Sequence, residues 1–238
     1  MKLSILYQDH HLVAINKSSG LLVHRSTIDR YETRFALQLL RRQLGRKVFP
    51  LHRLDKPTSG VLLFALNRDT AKCLSMDWQA VEKSYFALTR GKLLDTRVSH
   101  PIRSRAEKGR GKEKVQAAET QLRRLATAQL PVVFGNKRSA FTHTVFSWVQ
   151  ACPKTGRKHQ IRKHLKHLNH PIVGDTAYGR GEINRYFRDN FAVQRLLLHC
   201  AMVRLRHPVD GRCCVIYAPL DSTWQRVLTQ LPWRFNAC

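Results

Sequence analysis

Leu51-His52-Arg53-Leu54-Asp55-Lys56-Pro57-Thr58-Ser59-Gly60-Val61-Leu62-Leu63-Phe64-Ala65-Leu66 feeds a polar turn into a continuous apolar run. Pro57 fixes one backbone dihedral and Gly60 relaxes another, so the turn can hold Asp55 rigidly at the mouth of a sheet. Val61 to Leu66 has no polar side chain, the pattern of a strand covered on both faces. A lone carboxylate between Arg53 and Lys56 is a candidate reactive group. The same Asp could equally serve only its own turn, accepting hydrogen bonds from nearby amides.

The rest of the chain bounds what that carboxylate can meet. Its 238 residues suit one main domain with a substantial core. Lys and Arg number 42 against 16 acidic residues, a formal charge of +26 spread along the whole length, which points to a polyanionic partner. No apolar run approaches the roughly 20 residues of a spanning helix, and the N-terminus does not open a signal peptide, so a cytoplasmic protein without membrane attachment is expected. The six cysteines form no C-x-x-C pair and are expected reduced and mostly buried. His159, His164, His167 and His170 lack the spacing of a helical zinc motif; a basic face containing histidines is expected, and no metal.

In chain order, Leu3 to Tyr7 and Leu12 to Asn16 read as an opening hairpin. Ala36, Leu37, Leu40 and Leu44 have helical spacing with Gly45 as the stop. Asn67 or Asp69 caps a helix with Ala71, Leu74, Trp78 and Val81 inward. Lys83 to Leu88 alternates as a strand, placing Tyr85 and Phe86 on opposite sides. Arg97 to Lys114 reads as a mobile basic loop, either a solvated insertion or an arm that closes on nucleic acid. Strands return near Glu119 to Leu125 and Phe141 to Gln150.

Ile161, Leu165 and Leu168 then mark the buried side of a helix, with Arg157, Lys158, Arg162, Lys163 and Lys166 around the rest. Unpaired amides at its start, beside Lys154 and Arg157, would suit phosphate. Arg180 to Asn190 reads as a polar excursion. Strands at Leu196 to Leu205 and Cys213 to Tyr217 precede a last helix capped by Asp221 or Ser222, with Trp224, Val227, Leu228 and Leu231 inward. The expected class is α+β, with a mixed, mainly antiparallel central sheet and flanking helices.

Glycoside hydrolysis wants two carboxylates facing one bond, and metal-assisted phosphodiester cleavage wants several clustered acids. Neither pattern is visible here, which leaves a reaction on a nucleic-acid base needing one carboxylate. The segment His52 to Leu62 resembles the HRLD-x-x-T-S-G signature of RNA pseudouridine synthases of the RluA type. Gly156-Arg157-Lys158-His159-Gln160-Ile161-Arg162 is similar to that family's G-R-x-H-Q-[LI]-R motif. Leu198-His199-Cys200 resembles its L-H-A segment with Cys for Ala, and the likeness runs from Ile5 to about Leu231.

The resemblance implies a single pseudouridine synthase catalytic domain over 1–238, with the basic loop at about 97–114 as an insertion; as a departure from many relatives, no S4 module is expected. It implies that Asp55 is the essential aspartate, acting on a uridine flipped out of the RNA, and that no cofactor is needed. Tyr85 would stack on the flipped uracil, although as a residue it could be only a strand aromatic. Arg162 would pair with the catalytic aspartate, Ile161 would pack at the pocket wall, and Arg53 would fill the gap left by the base. Lys154, Arg157 and Lys158 would contact phosphates. Lys17-Ser18-Ser19-Gly20 stands where the family has K-P-x-G, so the stiffening proline is missing.

Within the family the short N-terminus, Pro153 to Gln160 and Arg195 to His199 are most like members acting on tRNA, at uridine 65 in the acceptor/T-stem region. A ribosomal RNA target is the alternative within the same chemistry, and a non-catalytic basic RNA-binding protein the alternative outside it. The expected partner is RNA alone, bound by a monomer without an obligatory protein partner.

Overall fold

The computed structural model describes residues 2–25, 32–104, 114–135 and 142–235. In chain order the elements are β1 (Ser4–Gln8), β2 (Leu12–Lys17), α1 (Ala36–Leu44), β3 (Phe49–Pro50), β4 (Ser59–Ala65), α2 (Arg68–Met76), β5 (Glu82–Arg90), β6 (Thr96–Ser99), β7 (Ile102–Ser104), β8 (Lys114–Gln116) and β9 (Glu119–Leu130). They continue as β10 (Thr144–Pro153), α3 (Gln160–His167), α4 (Gly181–Phe191), β11 (Leu198–Arg206), β12 (Cys213–Tyr217), α5 (Ser222–Gln230) and β13 (Trp233–Phe235). The class is mixed α+β with mostly antiparallel pairing. The chain forms two compact units, Met1–Ser84 with Leu198–Leu220 and Tyr85–Leu197 with Asp221–Cys238.

The first unit is built on β4, which is buried at all of its positions. Its core leucines and Phe64 each contribute about 1.5–3 kcal/mol by leaving water. One edge of β4 pairs antiparallel with β2, from Lys17↔Gly60 to Leu12↔Ala65. Its other edge is shared: β11 pairs parallel at Ser59 and Gly60, and β3 pairs antiparallel at Phe64 and Ala65. β1 completes the opening hairpin and β12 pairs with β11. The expected stop at Gly45 is a left-handed cap with φ 65°, and Asn67 caps α2 by accepting from the Thr70 amide at 2.8 Å.

In the second unit the strand order is β5-β10-β9-β13, with β6 on β9 and β7 paired to β8. Tyr85 faces Ala151, which faces Leu122, so these share one side of the sheet with Thr120. α3 lies on that side, because His164 Nδ1 and Gln160 Nε2 both reach Thr120 Oγ1 at 3.0 Å. Phe146, on the opposite side, packs edge-to-face on Phe187 of α4 at 4.9 Å.

Several expectations change. Arg180 to Asn190 is no excursion but most of α4, because Ile183 and Phe187 are one turn apart and buried, with Tyr186 and Phe191 beside them. The segment expected as a loop from Arg97 instead begins with β6 and β7, and ends as β8 begins at Lys114; residues 105–113 lie outside the described residues. The helix after Asn67 ends at Met76, and Trp78 sits in a separate 3-10 turn, Trp78–Ala80. Leu168 lies just past the end of α3 rather than on its buried side. Of the histidines expected on a basic face, His164 is fully buried and His159 bonds the Tyr178 hydroxyl at 2.9 Å, while His167 is exposed beside Lys166 and stacks on His100 at 3.8 Å. β13 was not anticipated.

Candidate active site

The turn that carries Asp55 is anchored mainly through its backbone. The Thr58 amide donates to the Asp55 carbonyl at 3.0 Å, closing a turn with Lys56 and Pro57 at its centre. The Lys56 carbonyl accepts from the Gly20 amide at 2.8 Å and from Lys17 Nζ at 3.1 Å. Ser19 Oγ donates to the Pro57 carbonyl at 2.7 Å. Lys17 is fully buried, and its ammonium also binds the carbonyls of Ser18 and Leu21 at 3.0 and 2.7 Å. The loop lacking the family's proline is thus tied directly to the Asp55 turn. Asp55 is half-buried and Arg53 exposed.

Below the turn, Ser59 Oγ and His199 Nδ1 are 2.8 Å apart, and His199 Nε2 is 3.2 Å from the Ala218 carbonyl. A carbonyl only accepts, so Nε2 carries the proton and Nδ1 takes the Ser59 hydroxyl. This bond joins two motif segments whose members, Ser59 and His199, lie 140 positions apart in sequence.

In the second unit, Tyr85 is 8% exposed on the side of the sheet that α3 covers, while Phe86 packs against Trp148 on the other. Gln160 organises the chain entering α3. Its Oε1 accepts from the Arg157 amide at 3.0 Å and the Thr155 hydroxyl at 2.7 Å, and its Nε2 donates to the Glu119 carbonyl at 2.8 Å. The Arg157 and Gln160 amides are therefore used inside this loop, the latter on the Arg157 carbonyl at 3.1 Å, rather than left open for phosphate. Arg157 Nε donates to the Ala117 carbonyl at 3.1 Å, and Lys158 is exposed. Lys154 is exposed and lines a polar cleft of about 520 Å³ with Arg97, Arg123, Asp95 and Glu119. Ile161 is buried at the start of α3.

Arg162 is 5% exposed, and its fork meets Asp175 squarely: Nε to Oδ2 at 2.8 Å and Nη2 to Oδ1 at 2.9 Å. Asp175 also accepts from the Ala177 and Tyr178 amides at 2.9 Å, and the guanidinium lies over the Tyr178 ring at 5.0 Å. Burial pushes the Asp175 carboxyl up, but the guanidinium and the two amides outweigh it and hold it below its ordinary value. Asp175 was not anticipated. Its only signal is position: an acid between Gly174 and Tyr178, in a chain with few acids, directly after an apolar turn.

Among the described residues no three His, Cys, Asp or Glu side chains group as a metal site requires, and no helix is long and apolar enough to cross a membrane.

A family model described as RNA pseudouridylate synthase matches residues 11–167. The chain is 45% identical to tRNA pseudouridine synthase C of Vibrio cholerae over 240 residues, 98% of this chain and 97% of that one. It is 42% identical to the protein of the same name from Pasteurella multocida over 245 residues, 100% and 99% of the two chains. Among solved structures, Human RNA Pseudouridylate Synthase Domain Containing 1 is similar, with a TM-score of 0.66 and 27% identity over 96% of this chain and 94% of that one. Human RNA Pseudouridylate Synthase Domain Containing 4 shares the fold at a TM-score of 0.70 and 24% identity, over 98% and 95% of the two chains. The chain therefore belongs to the RNA pseudouridylate synthase family, in its RluA branch, whose members are isomerases converting uridine in RNA to pseudouridine.

Proposed function

We propose that the substrate is tRNA, at uridine 65 in the acceptor/T-stem region, and that Asp55 is the group that carries the isomerisation. The observation that supports tRNA is the 42–45% identity, over nearly the whole chain, to relatives named tRNA pseudouridine synthase C. The restrained turn supports Asp55, since a carboxylate that must act on one atom of a flipped base gains from being held in place.

In this reading the uracil is detached at N1, rotated and rejoined through C5, with no cofactor. Tyr85 stacks on the base, an interaction worth about 1–3 kcal/mol against the cost of unstacking. Arg162 supplies the positive charge that keeps the reacting carboxylate ionised, and Asp175 fixes that guanidinium by its bidentate contact. Ile161 forms part of the apolar wall, and Arg53 fills the place the base leaves. Lys154, Arg157 and Lys158 contact phosphates through their side chains. The enzyme acts as a cytoplasmic monomer without an obligatory protein partner.

Cells lacking the gene and complemented with wild type or Asp55→Asn test the assignment, with pseudouridine mapped across total RNA by carbodiimide labelling and primer extension. Wild type should restore modification of tRNA at position 65, and Asp55→Asn should not, while the purified variant still binds tRNA. Restoration by the variant, or a missing site in ribosomal RNA instead, would overturn the proposal.

A further inference from the structure

β3 approaches β4 as a regular antiparallel partner, with Phe49 opposite Ala65 and Pro50 opposite Phe64. The next pair is Leu51 and Leu63, which in a regular ladder would exchange both backbone hydrogen bonds. Only half of that exchange follows the ladder: the Leu51 amide donates to the Leu63 carbonyl at 3.1 Å. The returning bond, from the Leu63 amide, goes to Nε2 of His52, also at 3.1 Å. Leu63 is fully buried, so its amide needs an acceptor. The imidazole supplies one where the main chain no longer does.

We propose that His52 is a positioning residue: its ring stands in for a backbone carbonyl on the edge of β4, so the chain can leave the sheet at Leu51 and form the Asp55 turn. An amide can only donate, so Nε2 must be bare and Nδ1 must carry the ring proton. A protonated ring would set a donor against a donor. Three features keep the ring neutral and fixed. Burial pushes its pKa down to about 3, Lys83 adds repulsion of the same sign, and Trp78 stacks on it at 5.3 Å with 24° between the planes. Lys83 itself lies over the other ring of this stack, 5.1 Å from the centre of Trp78. The 3-10 turn Trp78–Ala80 thus carries a wall for His52.

The inference rests on the reading of Asp55 as the catalytic group, since it assigns His52 no contact with substrate. Nitrogen NMR of the wild-type imidazoles tests it directly. His52 should show a bare Nε2 coupled across the hydrogen bond to the Leu63 amide, unchanged from neutral pH to about pH 5, because the ring takes up no proton in that range.

Two substitutions complete the test. His52→Gln places an amide oxygen close to where Nε2 lies, and should keep kcat and KM on tRNA near wild type. His52→Leu fills similar space without an acceptor, and should lower kcat by about 100-fold with KM little changed, as expected when a reacting group is misplaced by about 1 Å. A protonated Nε2, or equal losses in the two variants, ends the proposal, as does wild-type kcat in His52→Leu. If His52→Leu does not fold, the wild-type signature and His52→Gln decide: both must hold. Full activity in Asp55→Asn would end the catalytic reading while leaving the His52 signature intact, so the two failures are separable.

Discussion

Asp175 and His52 each hold a motif side chain or turn in place, and each does so through a charge state that acid can change. Arg162 and Asp175 are 5% and 1% exposed, so removing the carboxylate takes the bidentate partner from a buried guanidinium. Asp175→Ala should lose about 3–5 kcal/mol in urea denaturation at neutral pH. A loss under about 1 kcal/mol would show that the pair is replaceable. The two residues also predict different acid limbs. Asp175 is held below the ordinary 3.8, so its contribution is complete above that value and disappears as pH falls through the lowered one. His52 is neutral in the folded protein down to about 3 but protonates near 6.5 when unfolded, so stability declines across that interval. His52→Gln should flatten the decline between about 6.5 and 4 and leave the lower limb unchanged. Neither role is legible in the sequence. Asp55, Arg162 and Gln160 announce themselves by motif, and His52 and Lys17 stand in motif segments too, but what these two hold, like Asp175 altogether, becomes visible only once the chain folds against itself.

At the scale of elements, the approach of β4 to β11 sets the tightest tolerance in the first unit. A Cβ added at Gly60 would lie 2.1 Å from the Cys200 carbonyl oxygen and 2.6 Å from its amide nitrogen, and the Gly60 φ of 109° is itself unfavourable for an L side chain. Both obstacles are backbone, so neither can swing aside. Gly60→Ala should cost more than about 4 kcal/mol and separate Ser59 from His199. An alanine variant melting at the wild-type temperature would show that the strands can part cheaply. Gly60 was readable as a turn residue, but the strand it meets was not, because parallel partners are distant in sequence. The same limit explains which elements were anticipated. β4, α1 and α5 carry clean apolar periods and caps. In α4, Arg185, Arg188 and Asp189 interrupt the apolar positions, and burial of Ile183 and Phe187 against the sheet decides what the local pattern leaves open.

Across the whole molecule, 42 basic residues against 16 acidic ones make association with RNA an ion-exchange process, in which bound cations are released from phosphate as the protein arrives. Not every cation contributes equally. Arg97 is held by Glu119 at 2.6 Å, and Arg157 donates to the Ala117 carbonyl. Arg123 and Lys154 line the same polar cleft as Arg97, yet form no side-chain hydrogen bond or ion pair among the described residues. Among the described residues, no contact of these two side chains has to break before they meet phosphate. Lys154→Ala and Arg123→Ala should each weaken tRNA binding and reduce the steepness of log K against log salt by about 1. Arg97→Ala should change the slope less, because its charge is already opposed by Glu119. Asp55→Asn should leave the slope unaltered, since a group that acts on the base adds no phosphate contact. Filter binding across a salt series reads all four. If the Lys154 and Arg123 variants keep the wild-type slope, the cleft is not on the path of the RNA backbone, and the phosphate contacts must lie among other cations of this surface.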